Sequence, residues 1–178
     1  MLGTQHIQFG IVTGAAAGAV MLSTGNVSLP VAAGFAALSV FGALVPDADH
    51  EHSTINSKLK VTKIIHYIFG QRNLFHDPVF WGIVAAVMAY YSVPLMWFGI
   101  LFGIAGHLFL DAFTVWGIPF CCIIRRKGKD GKSHERYTIH LLPRGKRVMS
   151  ESKAAIGVTW VCNVVVIAAT LTYFVHFA

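Results

Sequence analysis

Long uncharged apolar runs alternate with short polar stretches along most of the chain. Pro94 separates two of these runs and predicts a tight turn, because proline ends or kinks a helix. A membrane-spanning helix needs roughly 20 apolar residues. The pattern predicts an all-α membrane protein, with about five transmembrane helices in a single integral membrane domain over residues 1–178. The candidate helices are His6–Leu22, Ser28–Val45, Pro78–Val93, Leu95–Phe113 and Ala154–Phe177.

Composition supports a membrane location. Hydrophobic residues make up 55% of the chain and charged residues only 12%, and the mean hydropathy is +0.62. Soluble domains carry roughly 25% charged residues. The first run has no Lys or Arg before it, so it lacks the basic start of a cleaved signal peptide. The alternative, that Phe80–Phe113 holds a buried hairpin of a soluble protein, stays open.

All 14 Lys and Arg residues lie in two loops, between runs two and three and between runs four and five. In a five-span bundle these loops share one side, so the positive-inside rule predicts a cytoplasmic N-terminus and an outside C-terminus. Residues 58–70 predict a short amphipathic cytoplasmic helix, and residues 114–153 a basic cytoplasmic loop containing a hairpin with an Asp-Gly turn. The net charge of +6 suits anionic lipid or phosphate-bearing substrates, or serves only topology. No nucleic-acid motif accompanies it.

The stretch LVPDADHEH brings Asp47, Asp49 and His50 together at the end of the second run. Pro46 disfavours a helical conformation at the residue before it, so an extended chain is expected here. In an extended chain Asp47 and Asp49 point to the same side. Carboxylates and an imidazole in this arrangement could converge on a cation.

The fourth run contains the stretch GHLFLDAFT, in which His107 and Asp111 stand four residues apart. Residues with this spacing share one helix face. A carboxylate within a spanning helix costs roughly 2.5–3.5 kcal/mol on insertion scales, so it marks a functional site by default. His and Asp are suitable metal ligands. The alternative is a hydrogen-bonded His–Asp pair that only ties helices together.

Further polar residues fall at the same predicted depth. The stretch GQRNLFHDP supplies His76 as a candidate ligand and Arg72 as a candidate phosphate-binding group. His6 starts the first run at the same end, either as another ligand or as a histidine at the membrane interface. Because unpaired charges at this depth are unfavourable, the convergence predicts a buried metal site.

The stretches PDADH, RNLFH and GHLFLDAFTVWGIP together resemble the YdjM-like family of membrane-bound proteins, described as metal-dependent hydrolases. The resemblance covers residues 6–119 and extends more loosely to zinc-dependent phospholipases C. The second block departs from the family pattern at four positions, which are Gln71, Asn73, Phe75 and Asp77. The resemblance implies a metal-binding set of His6, Asp47, Asp49, His50, His76, His107 and Asp111.

These observations favour a membrane-embedded hydrolase of phosphoesters such as phospholipid headgroups, acting at the cytoplasmic face of the inner membrane. Two divalent ions, zinc or else manganese, would activate water and neutralise the phosphate. Asp49 or Asp111 would orient that water or act as base, and Arg72 would bind the phosphate. One alternative is a non-catalytic metal protein that recruits a cytoplasmic partner through Arg125–Arg147, as the family's described repressor binding suggests. Another is a metal-ion transporter.

Overall fold

The described part of the chain is mostly helical. The computed structural model describes residues 1, 3–25, 27–49, 75–120 and 138–177, with the backbone alone for residues 48 and 49. Its five α-helices coincide with the five apolar runs, which confirms the predicted helical class. They are α1 (Gly3–Ser23), α2 (Leu29–Gly42), α3 (Pro78–Tyr90), α4 (Phe98–Asp111) and α5 (Lys153–Phe177).

The helices differ in length. Only α1, with 21 residues, and α5, with 25, are long and apolar enough to be candidate membrane spans within the described ranges. The helices α2, α3 and α4 have 14, 13 and 14 residues. At 1.5 Å per residue each measures about 20 Å, which is short of a hydrocarbon core of about 30 Å. Five full spans and their orientation therefore stay predictions.

The helices α1, α2 and α4 form a closely packed core in which glycines face the neighbouring backbone. Gly10 and Gly14 of α1 lie one turn apart, and a Cβ added at either would come within 2.9 Å of a Cβ on the segment containing α2. On α4, a Cβ at Gly103 would overlap the carbonyl oxygen of Ser39. Small residues at helix interfaces allow such close approach in membranes. These glycines therefore allow α1, α2 and α4 to pack closely against one another.

The helices α3 and α5 are peripheral. Within the described residues α3 buries none of its side chains, and α5 buries only Ala155 and Thr159. Large apolar side chains cover their outer faces, including Ile83, Val164 and Leu171. Such surfaces are expected to contact lipid.

The residues after α4 turn back across its C-terminal end. Strand β1 (Ile118–Pro119) pairs antiparallel with β2 (Thr138–Ile139). The segment from 138 to 149, here named the return segment, then binds the end of α4 through Leu141 N to Ala112 O at 2.9 Å and Val148 N to Phe113 O at 3.1 Å. Val148 is buried in a cluster with Leu110 and Ala155. Both described ends of the predicted basic loop are thus fixed to the helical core.

Two local predictions have clear outcomes. The turn at Pro94 is confirmed, since α3 ends at Tyr90, Ser92 takes a φ of 51° and a short 3-10 helix starts at Leu95. The extended chain after Pro46 is wrong, because Pro46–Asp49 forms a 3-10 helix. Proline restricts the residue before it but suits the first position of a helical turn. The predicted amphipathic helix at 58–70 and the Asp-Gly turn lie outside the described residues.

Candidate metal centre

The C-terminal turn of α4 carries the two central side chains of the candidate metal centre. His107 and Asp111 lie one turn apart, and His107 Nε2 is 3.6 Å from Asp111 Oδ2. Both residues are at most 2% exposed. The helix continues to Asp111 without interruption, so the four-residue spacing puts both side chains on one face as predicted.

The backbone of α2 orients the imidazole of His107. Nδ1 of His107 lies 2.7 Å from the carbonyl oxygen of Ala43, the residue directly after α2. A carbonyl can only accept a hydrogen bond, so Nδ1 must carry the hydrogen. Nε2 of a neutral His107 then presents a lone pair. This is the arrangement typical of metal-binding histidines, in which the second ring nitrogen donates to a carbonyl or carboxylate.

His107 Nε2 faces two carboxylates at distances that exceed a hydrogen bond. It is 3.6 Å from Asp111 Oδ2 and 3.7 Å from Asp47 Oδ1, and it makes no hydrogen bond within the described residues. Hydrogen bonds of this type are 2.7–3.2 Å long. These distances lie within ion-pair range, so the alternative of a His–Asp pair that only ties helices together stays open. A cation between these atoms would satisfy all three.

His6 enters the cluster from the first turns of α1. Its Nε2 lies 3.4 Å from Asp111 Oδ1, and its ring stacks on His107 with centroids 3.6 Å apart and planes 13° apart. Neither ring nitrogen of His6 makes a hydrogen bond within the described part of the chain. His6 is buried, so its side chain does not reach solvent as a snorkelling histidine would.

His76 enters the cluster from the turn just before α3. Its Nε2 lies 3.7 Å from Asp111 Oδ2, and its ring meets the ring of His107 edge to face at 5.4 Å. The neighbouring Asp77 accepts a hydrogen bond from Val79 N at 2.9 Å and caps α3. Trp81 Nε1 donates to Phe75 O at 2.8 Å and closes the same turn. Capping and this indole contact explain how the short stretch FHDP holds His76 in place.

These residues form two overlapping groups of possible ligands. One contains His6, His107 and Asp111, and the other contains Asp47, His76 and His107; within each group the candidate ligand atoms lie within 4.8 Å of one another. His107 is common to both. The side chain of Asp47 is 16% exposed, whereas those of the other four are at most 3% exposed. The residues therefore fit one or two cations, with Asp47 on the more open side.

Five of the seven predicted metal ligands are thus brought together by the structure. They are His6, Asp47, His76, His107 and Asp111. The side chain of Asp49, and all of His50 and Arg72, lie outside the described residues, so their roles stay predictions. The argument that Asp47 and Asp49 point to one side fails, because it required the extended backbone that the 3-10 helix replaces.

Several features of the centre were missed by the sequence analysis. The α-amino group of Met1 lies 2.6 Å from Asp111 Oδ1, and Met1 Sδ accepts a hydrogen bond from Thr159 on α5 at 3.4 Å. The carbonyl of Ala43 is another missed feature, because the position of a backbone group cannot be predicted from a pattern of residue types. Both contacts depend on how α1, α2, α4 and α5 pack against one another.

Thr114 supports the centre from the end of α4. It is 1% exposed, and its Oγ1 donates to the carbonyl of Asp111 at 2.8 Å and accepts from Gly117 N at 3.4 Å. Gly117 has a φ of 62°, and a Cβ there would come within 2.7 Å of Ile139 O in β2. This turn therefore joins the last residue of α4 to the return segment. The stretch DAFTVWG could have predicted this turn, since Thr and Gly at these positions suit a helix end.

Comparison with known proteins identifies the family of this chain. A family model described as YdjM inner membrane protein matches residues 1–177. The uncharacterized protein YvsG of Bacillus subtilis (strain 168) is 36% identical over 85 residues, which are 47% of this chain and 53% of YvsG. The chain thus spans about half the length of this curated relative. No solved structure matches the chain, and the resemblance to zinc-dependent phospholipases C stays a prediction. Because the family model covers nearly every residue, the chain belongs to the YdjM family of inner membrane proteins.

Proposed function

We propose that this protein is a metal-dependent hydrolase that cleaves phosphoesters, such as those of phospholipid headgroups, at the cytoplasmic face of the inner membrane. The metal would be held by His6, Asp47, His76, His107 and Asp111, and this donor set would suit zinc or manganese best. Membership of an inner membrane family and the buried Asp/His cluster support the location and the metal.

One observation carries the proposal. His107 donates its Nδ1 hydrogen to Ala43 O, and its other nitrogen faces two carboxylates across 3.6 and 3.7 Å. When His107 is neutral, its Nε2 and the two facing carboxylate oxygens all present lone pairs, and these lone pairs repel one another. A divalent cation held by these atoms would remove this repulsion, and a donor set of three imidazoles and two carboxylates suits zinc or manganese better than calcium.

A bound metal would supply Lewis acidity toward a phosphoryl oxygen and would lower the pKa of a bound water toward about 7. The protein's own residues orient and enclose the reaction. Asp111 contacts two imidazoles within 3.6 Å and therefore serves as a ligand. We assign proton acceptance to Asp49, one of the two aspartates that the sequence predicts for this role, and phosphate binding to Arg72.

Metal content is the first test. The protein is purified in detergent without added metal and its bound metals are measured by inductively coupled plasma mass spectrometry. We expect about two equivalents of zinc or manganese, as in two-metal sites, and loss of that metal in His107→Ala/Asp111→Ala. The matched control is His176→Ala, because His176 is exposed near the end of α5 and bonds only its own helix at Thr172 O within the described residues. Absence of metal from the wild type would refute the proposal.

Hydrolysis is tested separately. Metal-loaded protein is incubated with mixed phospholipid and soluble phosphoester substrates, and released phosphate and headgroups are quantified. Turnover that disappears in Asp111→Asn supports the proposal. Metal binding without turnover of any substrate would instead support a structural metal.

The second candidate function is a non-catalytic metal protein that recruits a cytoplasmic partner through Arg125–Arg147. The nearly complete enclosure of the cluster favours it, since four of the five side chains are at most 3% exposed. Catalytic sites keep a coordination position open, whereas structural sites are closed. Cobalt substitution and absorption spectroscopy distinguish the two, because an exogenous anion such as azide changes the spectrum only of an open site.

A further inference from the structure

The return segment presents basic and apolar side chains side by side on its outer surface. Leu141 and Met149 are 52% and 64% exposed, and Trp116, in the turn between α4 and β1, is 64% exposed. Between Leu141 and Met149, the 3-10 helix of residues 144–146 exposes Arg144 and Lys146. A surface of this composition is unfavourable in water and also unfavourable within hydrocarbon.

The segment is held in a fixed shape. Lys146 N donates to Pro143 O at 2.9 Å, and Arg147 Nε donates to Leu142 O at 3.2 Å across the turn. Both sides of the turn are attached to the backbone just after α4, through Leu141 N to Ala112 O and Val115 N to Val148 O. The basic side chains are therefore displayed by an ordered turn rather than by a free loop.

The position of α5 locates this surface relative to the bilayer. The helix α5 begins at Lys153, four residues after Met149, and its 25 residues measure about 37 Å, long enough to cross the hydrocarbon core. The N-terminal end of α5 and the return segment beside it then lie at the headgroup level. From 138 to 153 the chain has four basic residues, Arg144, Lys146, Arg147 and Lys153, and a single acidic one, Glu151.

We infer that the return segment is a binding surface for anionic phospholipid headgroups. Arg144 and Lys146 contact the lipid phosphates, while Leu141, Met149 and Trp116 enter the boundary between headgroups and acyl chains. This division of basic and apolar side chains is what an interfacial segment requires. The segment binds the backbone directly after Asp111, so the candidate metal centre lies at the depth of the phosphates. The inference rests on the proposed function only in taking these lipids as the source of substrate.

The test measures thermal unfolding of the protein in dodecyl maltoside micelles during titration with dioleoyl phosphatidylglycerol, dioleoyl phosphatidylcholine or inorganic phosphate. We expect phosphatidylglycerol to stabilise the protein at much lower concentration than phosphatidylcholine. In Arg144→Gln/Lys146→Gln, half-maximal stabilisation should need roughly 10- to 30-fold more phosphatidylglycerol, since each basic residue near an anionic surface contributes about a factor of five. The control Arg144→Lys/Lys146→Arg keeps the positive charge at both positions and should shift it less than threefold.

Three results would overturn the inference: equal stabilisation by the two lipids, equal stabilisation by inorganic phosphate, or equal shifts in the two double variants. Bound metal is measured in the same samples and should be unchanged, so failure here is distinguishable from failure of the metal centre.

A second measurement does not depend on the charge variants. A protein that keeps Trp116 as its single tryptophan, Trp81→Phe/Trp97→Phe/Trp160→Phe, is placed in phosphatidylcholine–phosphatidylglycerol vesicles containing brominated lipids. We expect stronger quenching by bromine near the glycerol end of the acyl chain than by bromine near its methyl end. Quenching that is absent, or strongest near the methyl end, would contradict the proposed depth.

Discussion

The helices α1, α2 and α4 approach one another so closely that glycines stand against backbone atoms, whereas α3 and α5 expose most of their side chains. Both groups of helices are apolar. The difference lies in their small residues: Gly10, Gly14 and Gly103 face α2, but Gly82 of α3 and Gly157 of α5 have nothing within 4 Å of an added Cβ. The close group also supplies His6, His107 and Asp111. Close backbone approach and the buried polar cluster therefore belong to the same three helices, and hydropathy alone does not distinguish them from the other two.

The largest effect is expected from filling the space between the close helices. In Gly103→Ala the new Cβ would overlap Ser39 O, so α2 and α4 must separate, and we expect a loss of about 3 kcal/mol or more. The matched change Gly157→Ala on α5 meets no atom and should be neutral or stabilising by up to about 1 kcal/mol. Thermal unfolding in detergent measures both. Equal melting temperatures of Gly103→Ala and Gly157→Ala would contradict the distinction between closely packed and peripheral helices.

The next largest effect is expected when two buried aspartates, one in each group of helices, are each replaced by asparagine. Asp111→Asn removes the charge that faces His6, His76 and His107, and we expect metal affinity to fall by at least about 100-fold, because it acts on a direct ligand. Asp77→Asn keeps a side-chain oxygen that can cap α3, and asparagine is as good a cap as aspartate, so both metal content and stability should stay close to wild type. Equilibrium dialysis with zinc measures the affinities. Similar losses of zinc affinity in both variants would mean that metal binding depends no more on Asp111 than on Asp77.

Smaller effects on stability and metal binding are expected from a substitution at the end of α4. Thr114→Val removes the hydroxyl that bonds Asp111 O, and we expect a loss of about 1–2 kcal/mol and roughly tenfold weaker metal binding. Thr114→Ser should restore both. The control Thr170→Val removes a comparable hydroxyl bond, to Val166 O on α5, and should change stability by less than about 0.5 kcal/mol without affecting metal. If serine fails to restore metal binding, the hydroxyl of Thr114 does not position Asp111.

Sequence periodicity predicted the helices and part of the centre well. The apolar runs matched all five described helices, and the pair His107 and Asp111 needed only the helical repeat to be placed on one face. Local backbone near Pro46 was predicted wrongly, because proline is compatible with both an extended chain and the start of a 3-10 helix. The choice between them depends on the packing at the end of α2, which a local pattern does not contain.

The sequence by itself determined the family, the helical class, the positions of the helices and the set of residues from which the candidate centre is built, because apolar length and the four-residue helix repeat are local properties. Only the tertiary structure decided which of those residues meet. The stacking of His6 on His107, the contact from Ala43 O to His107 Nδ1 and the approach of His76 each join segments far apart in the chain. Their geometry follows from how closely α1, α2 and α4 pack, and that depends on many glycine and carbonyl contacts acting together.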